Sequence, residues 1–179
     1  MTVNSIYVPV SIDAACFRRF SYFETMHRQK RWRSPLLFAL ILTACAIICL
    51  IFQSRSEGSV LLGVVLLTLG SGLPIAYFSN FACSVRNQIK RMGIKKKARN
   101  AYNIMLDDKG ISITAQNEIM SYAWDQIAAA YRTSSDIYLY ITLQRAYLLP
   151  NGQATKGDDA LWEMISHHLP AAQVFDLRH

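Results

Sequence analysis

The sequence predicts an α+β membrane protein: a two-helix transmembrane hairpin followed by an antiparallel β domain closed by a C-terminal helix. Three observations predict it. Hydrophobic residues make up 52% of the chain and charged residues 17%, against about 25% charged in a soluble domain. Residues 35–52 and 60–78 are apolar runs without a single Asp, Glu, Lys, Arg or His. Residues 100–179 instead alternate apolar and polar side chains at the period of strands, then end in an amphipathic helical stretch. The same composition excludes a disordered chain, which needs high charge and few apolar residues. Four cysteines in 179 residues are too few for a disulfide-stapled scaffold.

The N-terminal segment, residues 1–34, holds a strand and a basic helix. In residues 3–12, Ile6, Val8, Val10 and Ile12 point one way, and Pro9 suits an edge strand. Asp13 reads as the N-cap of a helix from Ala14 to about Arg33. Phe17, Phe20 and Phe23 share a side of it, so it can lie in the membrane surface and lead into the first span. The competing reading is a connecting helix packed on the soluble domain.

Residues 35–52 form the first span and residues 60–81 the second. A helix over either apolar run is about 27–29 Å long, close to the hydrocarbon thickness. Ser34 and Pro35 supply an N-cap and a proline for the first turn. Trp32 and Tyr77 stand at interfacial positions. The first run starts at residue 35 behind a basic stretch, so it reads as a retained span rather than a signal peptide. The connector, residues 53–59, is short enough to make the spans antiparallel neighbours. Ala39 and Thr43 in the first span, and Thr68, Gly72 and Ala76 in the second, recur every four positions and offer close helix packing. Pro74 is expected to bend the second span. The absence of ionisable residues in both runs argues against a proton-coupled transporter.

Charge is unevenly divided. Residues 1–99 hold 14 of the 19 Lys/Arg and 3 of the 12 Asp/Glu, a balance of +11; residues 100–179 hold 5 and 9, a balance of −4. The basic residues flank the apolar runs, which favours a membrane surface over nucleic acid despite the overall +7. Before the first span stand Arg28, Lys30, Arg31 and Arg33. After the second, in the juxtamembrane linker 82–99, stand Lys90, Arg91, Lys95, Lys96 and Lys97. The connector holds only Arg55. The positive-inside rule puts both termini in the cytoplasm, and these nine residues are the expected contacts with anionic headgroups.

The soluble domain, residues 100–179, reads as about six strands. Residues 101–107 and 111–115 flank the turn residues Asp107, Asp108, Lys109 and Gly110; residues 118–124, 127–131, 137–144 and 145–150 follow. Asp158 and Asp159 cap a helix to Leu169, with Leu161, Trp162, Ile165 and Leu169 on its apolar face. Tyr122, Tyr131, Tyr138, Tyr140 and Tyr147 make an aromatic sheet, read as half-buried packing before a binding face. The unpaired edge of such a sheet is expected to take the N-terminal strand.

This body of strands with one closing helix resembles a pleckstrin-homology-like half-barrel. The whole chain resembles the YcxB-like family of small bacterial membrane proteins. The resemblance rests on the order of parts and on three short stretches: Leu106-Asp107-Asp108-Lys109-Gly110-Ile111-Ser112-Ile113, Trp124-Asp125-Gln126-Ile127 and Tyr147-Leu148-Leu149-Pro150. Family members often follow this proline with a basic residue and an aromatic, whereas Asn151 and Gly152 stand here. The resemblance implies a multi-pass inner-membrane protein with no established catalytic activity.

No metal-ligand spacing, phosphate loop or nucleophile motif is present. His167 and His168 are adjacent and face different sides of a helix; Cys45 and Cys49 share a face but lack further ligands. No enzyme, cofactor or metal is expected. The expected function is a membrane-anchored cytoplasmic interaction or regulatory module, acting through a protein partner or self-association. The alternative is an oligomeric small-span assembly, a pore or a transporter accessory subunit.

Overall fold

A computed structural model describes residues 5–51, 57–91, 93, 99–116 and 118–178. Val3 and Asn4 of the expected first strand, most of the connector with Arg55, Asn117 of a turn, and Lys95, Lys96 and Lys97 lie outside the described residues. The fold is mixed α+β, with two long apolar helices and two largely antiparallel sheets. It divides into two compact units: Met1–Phe20 with Ile94–His179, and Ser21–Gly93.

In the first unit, β1 (Ile6–Ile12), β2 (Arg99–Asp107), β3 (Gly110–Ala115) and β4 (Glu118–Ala123) form one antiparallel sheet in that order. The N-terminal strand therefore pairs with β2, from Ile6 opposite Leu106 to Ile12 opposite Arg99. Alternation decides its facing: Ile6, Val8 and Val10 are buried, while Tyr7 is exposed. Pro9, which has no N–H to give, is tolerated because β1 is the sheet's edge. The edge is covered from the other side. Gln153 bonds both the N–H and the carbonyl of Ser11 through its side-chain amide, and Tyr7 exchanges bonds with Thr155.

The tight turn between β2 and β3 is closed by Asp107, whose carboxylate accepts the N–H groups of Lys109 and Gly110. Gly110 is obligatory there: a Cβ would stand 2.2 Å from the carbonyl oxygen of Tyr122 on β4.

The second sheet has the order β7 (Ala146–Pro150), β6 (Asp136–Tyr140), β5 (Ala129–Arg132), β8 (Val174–Asp176). Strand β8 is a correction to the expectation of antiparallel strands closed by a final helix, because it follows the helix and pairs parallel with β5. Two further boundaries move. The strand expected over 118–124 stops at Ala123, and Trp124–Gln126 is a short 3-10 turn. The strand expected over 137–144 stops at Tyr140, where the Thr142 hydroxyl accepts the N–H groups of Gln144 and Arg145 and turns the chain. Helix α4 (Asp158–His168) buries Leu161, Trp162, Met164 and Ile165. They join Ile104, Leu106, Ile111, Ile113, Ile137, Leu139 and Leu149 from the two sheets in a single core.

Helix α1 (Ala14–Tyr22) begins as expected, with the Asp13 carboxylate accepting the N–H of Cys16 at 2.7 Å. It is much shorter than the helix expected to Arg33. A π-helical turn, Phe23–Arg28, follows, and Lys30 takes φ 51°, a left-handed value that ends a helix.

In the second unit, α2 (Arg33–Ile51) packs against α3 (Glu57–Arg91). Helix α2 starts ahead of Ser34. Pro35 is still tolerated, because N–H groups in the first turn have no helical acceptor. Helix α3 contains Pro74 and runs ten residues past the expected end of the second span. Residues 82–91 are therefore helix rather than linker, in keeping with a stretch that has no glycine or proline.

The seam between the helices uses one of the two small-residue rows. Ala39 and Thr43 do face the partner, but they meet Gly70, where a Cβ would stand 2.8 Å from Thr43 Oγ1 and 3.3 Å from the Ala39 carbonyl. One turn pair along, Gly63 faces Leu50 and Ala46. Gly72 has nothing within 4 Å of that position, and Thr68 and Ala76 are exposed. Four-residue spacing drifts around a helix by about 40° per step, so the Thr68–Gly72–Ala76 row and the packed face part company.

Candidate functional site

The nine basic residues expected at the membrane surface divide into three groups. Lys30, Arg31 and Arg33 are exposed at the N-terminal side of α2, and Lys90 and Arg91 are exposed in the last turn of α3. Arg28 is instead engaged inside the π-helical turn: its guanidinium lies 2.5 Å from Glu24, and both side chains are largely buried. Arg28 is thus paired and largely buried, unlike the five exposed basic residues. Lys95, Lys96 and Lys97 are outside the described residues. Trp32 donates its indole N–H to the Met26 carbonyl at 2.9 Å, bracing the joint between α1 and α2.

Between these basic clusters the helices are apolar and open. Leu37, Leu40, Ile51, Leu61 and Ile75 are each more than 60% exposed. Both α2 and residues 60–91 of α3 are long and apolar enough to cross a membrane by length and composition.

A second constellation lies in the first unit and was not anticipated from the sequence. Asp136, at the start of β6, is fully buried. Arg19 grips its carboxylate with two bonds, Nε to Oδ2 at 2.7 Å and Nη2 to Oδ1 at 3.0 Å. The Tyr138 hydroxyl donates to the same carboxylate at 3.3 Å and the Cys16 thiol at 3.5 Å. Phe20 meets the Tyr138 ring edge-on, 5.3 Å between centroids. Burial, with the neighbouring Asp136 charge second, pushes the Cys16 thiol up to about 12 from a usual 9.0. That thiol is protonated and inert at neutral pH. The hydrogen bond to Asp136 holds the Arg19 guanidinium firmly charged. Burial also raises the Tyr138 phenol. The arrangement is a clasp: it holds one face of α1 on β6, and it presents no activated nucleophile.

Several other polar groups tie elements of the first unit together. Tyr102 donates to the Leu148 carbonyl at 2.9 Å and accepts its N–H at 2.8 Å, joining β2 to β7 across the two sheets. Arg132 is buried and pairs with Asp159 at 2.5 Å, and its hydrogen bond holds that exposed carboxylate below the usual range. Trp124 is nearly buried and donates to the Asp107 carbonyl at 2.9 Å. His168 stacks on it at 4.6 Å. The His168 Nδ1 lies 2.9 Å from the Met164 carbonyl, which can only accept, so Nδ1 carries the proton. His168 and His167 line a cleft of about 470 Å³ with Asp108, Lys156, Glu163 and Met164. Among the described residues no three His, Cys, Asp or Glu side chains are grouped to hold a metal ion. Of the tyrosines read as half-buried, Tyr138 and Tyr140 are fully buried. Comparison with known proteins finds no matching family model, curated protein or solved structure.

Proposed function

We propose that the chain is a multi-pass membrane protein whose α2–α3 hairpin anchors a cytoplasmic β domain, and that this domain is an interaction or regulatory module. One observation carries the reading: among the described residues the hairpin buries mainly small side chains along its seam and leaves most of its large apolar side chains exposed. Exposed apolar area costs about 25 cal/mol per Å² in water, and lipid removes that cost. Exposed basic residues at Lys30, Arg31, Arg33, Lys90 and Arg91 border the apolar surface at the two chain ends of the hairpin, where anionic headgroups are their natural partners.

The inner-membrane location, the cytoplasmic termini, the pleckstrin-homology-like half-barrel and the kinship with YcxB-like proteins are parts of the same proposal. They are supported by the positive-inside bias, by the two four-stranded sheets with α4, and by the order of parts. The domain is not proposed to read phosphoinositides. Residues 100–179 carry five Lys/Arg scattered among nine acids, and headgroup phosphates need clustered Arg or Lys. A protein partner fits better than a nucleic acid.

Replacing Lys90, Arg91, Lys95, Lys96 and Lys97 by Gln tests the headgroup contact. Each is expected to contribute about 1 kcal/mol near an anionic surface, so photo-crosslinking to anionic lipid should drop and lose its salt dependence. Unchanged crosslinking contradicts the assignment. One observation also favours self-association. The Thr68–Gly72–Ala76 row is unused by the hairpin's own packing and remains open to a second copy.

A further inference from the structure

We propose that the open edge of β4 is a self-association surface, on which a second copy of the chain adds its own β4 antiparallel, with Ile119 of each copy opposite Ser121 of the other. This names the partner of the interaction module and rests on that reading.

The edge follows from the ladder. Among the described residues β4 is the last strand of its sheet and pairs with β3 alone. The N–H and carbonyl of one strand residue point to the same side, and successive residues alternate. Two observations fix which residues point outward. The Tyr122 carbonyl lies against Gly110 of β3, so Tyr122 faces the ladder. The Ala123 N–H is taken by the Gln126 side chain at 3.1 Å rather than by β3. Ser121 and Ile119 share the side of Ala123. Their N–H and carbonyl groups line the open edge, with no strand opposite them among the described residues. Both side chains are exposed, Ile119 at 72%.

The other sheet edges are closed or blunted. On β1, Thr155 and Gln153 take the outward groups of Tyr7 and Ser11, and Pro9 between them has no N–H. On β7, the Tyr102 hydroxyl bonds both backbone groups of Leu148. Strand β8 has three residues and ends in Asp176, ion-paired with Arg178. Short, charged, proline-bearing or bulged edges are the usual means of avoiding strand addition. No proline, lysine or bulge interrupts Glu118–Ala123.

A second copy fits this edge because the strand is self-complementary about Met120. A two-fold relation there sets Ile119 opposite Ser121 in both directions, so the free groups of both strands pair with one another. Glu118, the one charged residue of β4, then falls opposite Tyr122 of the other copy, and no like charges meet. A register with Ser121 opposite its own copy sets Ile119 against Ala123, whose N–H is already taken.

The register supplies the test. Full-length chains otherwise free of cysteine, one tagged chain with Ile119→Cys and a differently tagged one with Ser121→Cys, are coexpressed and oxidised in isolated membranes. Opposed residues of a hydrogen-bonded antiparallel pair have Cα atoms about 5.5 Å apart, within disulfide reach. Two Ile119→Cys chains meet only on the diagonal, at about 9 Å, out of reach. Mixed chains should therefore crosslink about fivefold more than either chain with itself. Ser121→Pro, added to the Ile119→Cys chain, removes an outward N–H and leaves the β3 ladder whole. It should cut the mixed yield about tenfold, with amide exchange in β3 unchanged. Ile119→Lys, added to the Ser121→Cys chain, blunts the edge by charge and carries that arm should the proline variant fail to fold. Gly72→Leu in both chains, on the open helix row, should leave the yield as it was. Mixed yields no higher than same-chain yields overturn the proposal. So does a yield lost with Gly72→Leu but kept with Ser121→Pro. Crosslinking of position 119 or 121 to a different polypeptide overturns the second copy as occupant and leaves the interaction module standing. Carbonate extraction of the same membranes scores the anchoring separately, and the crosslink is read whichever way that falls.

Discussion

Arg19→Met removes the cationic half of the clasp and leaves the Asp136 carboxylate buried. The cost follows from geometry. The carboxylate side chain is 0% exposed and its partner 45% exposed. Breaking a buried pair by removing one member costs roughly 3–5 kcal/mol. The half-exposed arginine and the surviving bonds from Tyr138 and Cys16 reduce this to about 2–3 kcal/mol. Asp136→Asn is asymmetric with it: the amide can keep its hydroxyl partner, and Arg19 returns to water. It should cost about 1 kcal/mol, near one neutral hydrogen bond. For a domain near 100 residues the arginine change lowers Tm by roughly 8–24 °C. The measurement is near-ultraviolet circular dichroism of the full chain in lipid nanodiscs, melted with and without each change. If the two substitutions shift the transition equally, or neither shifts it, the buried charge is not what makes the clasp costly to break.

Alkaline pH should destabilise the first unit through the same cluster. The Cys16 thiol titrates at about 12 when folded against a usual 9.0. A raised value means the folded state favours the protonated thiol, so stability is complete below pH 9.0 and falls as pH rises toward about 12. Cys16→Ala should flatten that part of the urea-midpoint profile, and an unchanged slope would count against the thiol as its source. Tyr102→Phe strips a buried N–H and a buried carbonyl of Leu148 of their partner. Roughly 2–3 kcal/mol of stability should be lost, read as faster exchange at β2 and β7; a neutral result means water replaces the hydroxyl.

Much of this was legible in the sequence, for identifiable reasons. The two long helices show because residues 35–52 and 60–78 are charge-free apolar runs of helical length. The membership of β1 in the first sheet shows because alternation at Ile6, Val8 and Val10 demands a buried face, and an open sheet edge demands a strand. The Asp107–Gly110 turn shows because its residues carry their own hydrogen bonds.

What escaped depends on contacts between distant segments. Asp136 lies 117 residues from Arg19, and the one local hint is a lone acid opening the otherwise apolar stretch Asp136-Ile137-Tyr138-Leu139-Tyr140. The helix seam was only partly legible, because four-residue spacing finds small residues without saying which side of the helix meets which partner. Strand β8 has only three residues, too few for any periodicity. The break at Lys30 is a backbone conformation with no glycine to announce it.

The central claim is that α2 and α3 form a membrane hairpin with both chain ends in the cytoplasm. Single cysteines at Ser5, Ser56 and Gly157, placed in a chain otherwise free of cysteine, test it in intact bacteria. A membrane-impermeant maleimide should label position 56 in the connector from outside and reach positions 5 and 157 only after the membrane is opened. Labelling of positions 5 and 157 from outside inverts the topology. Equal labelling of all three sites only after lysis removes the hairpin from the membrane altogether.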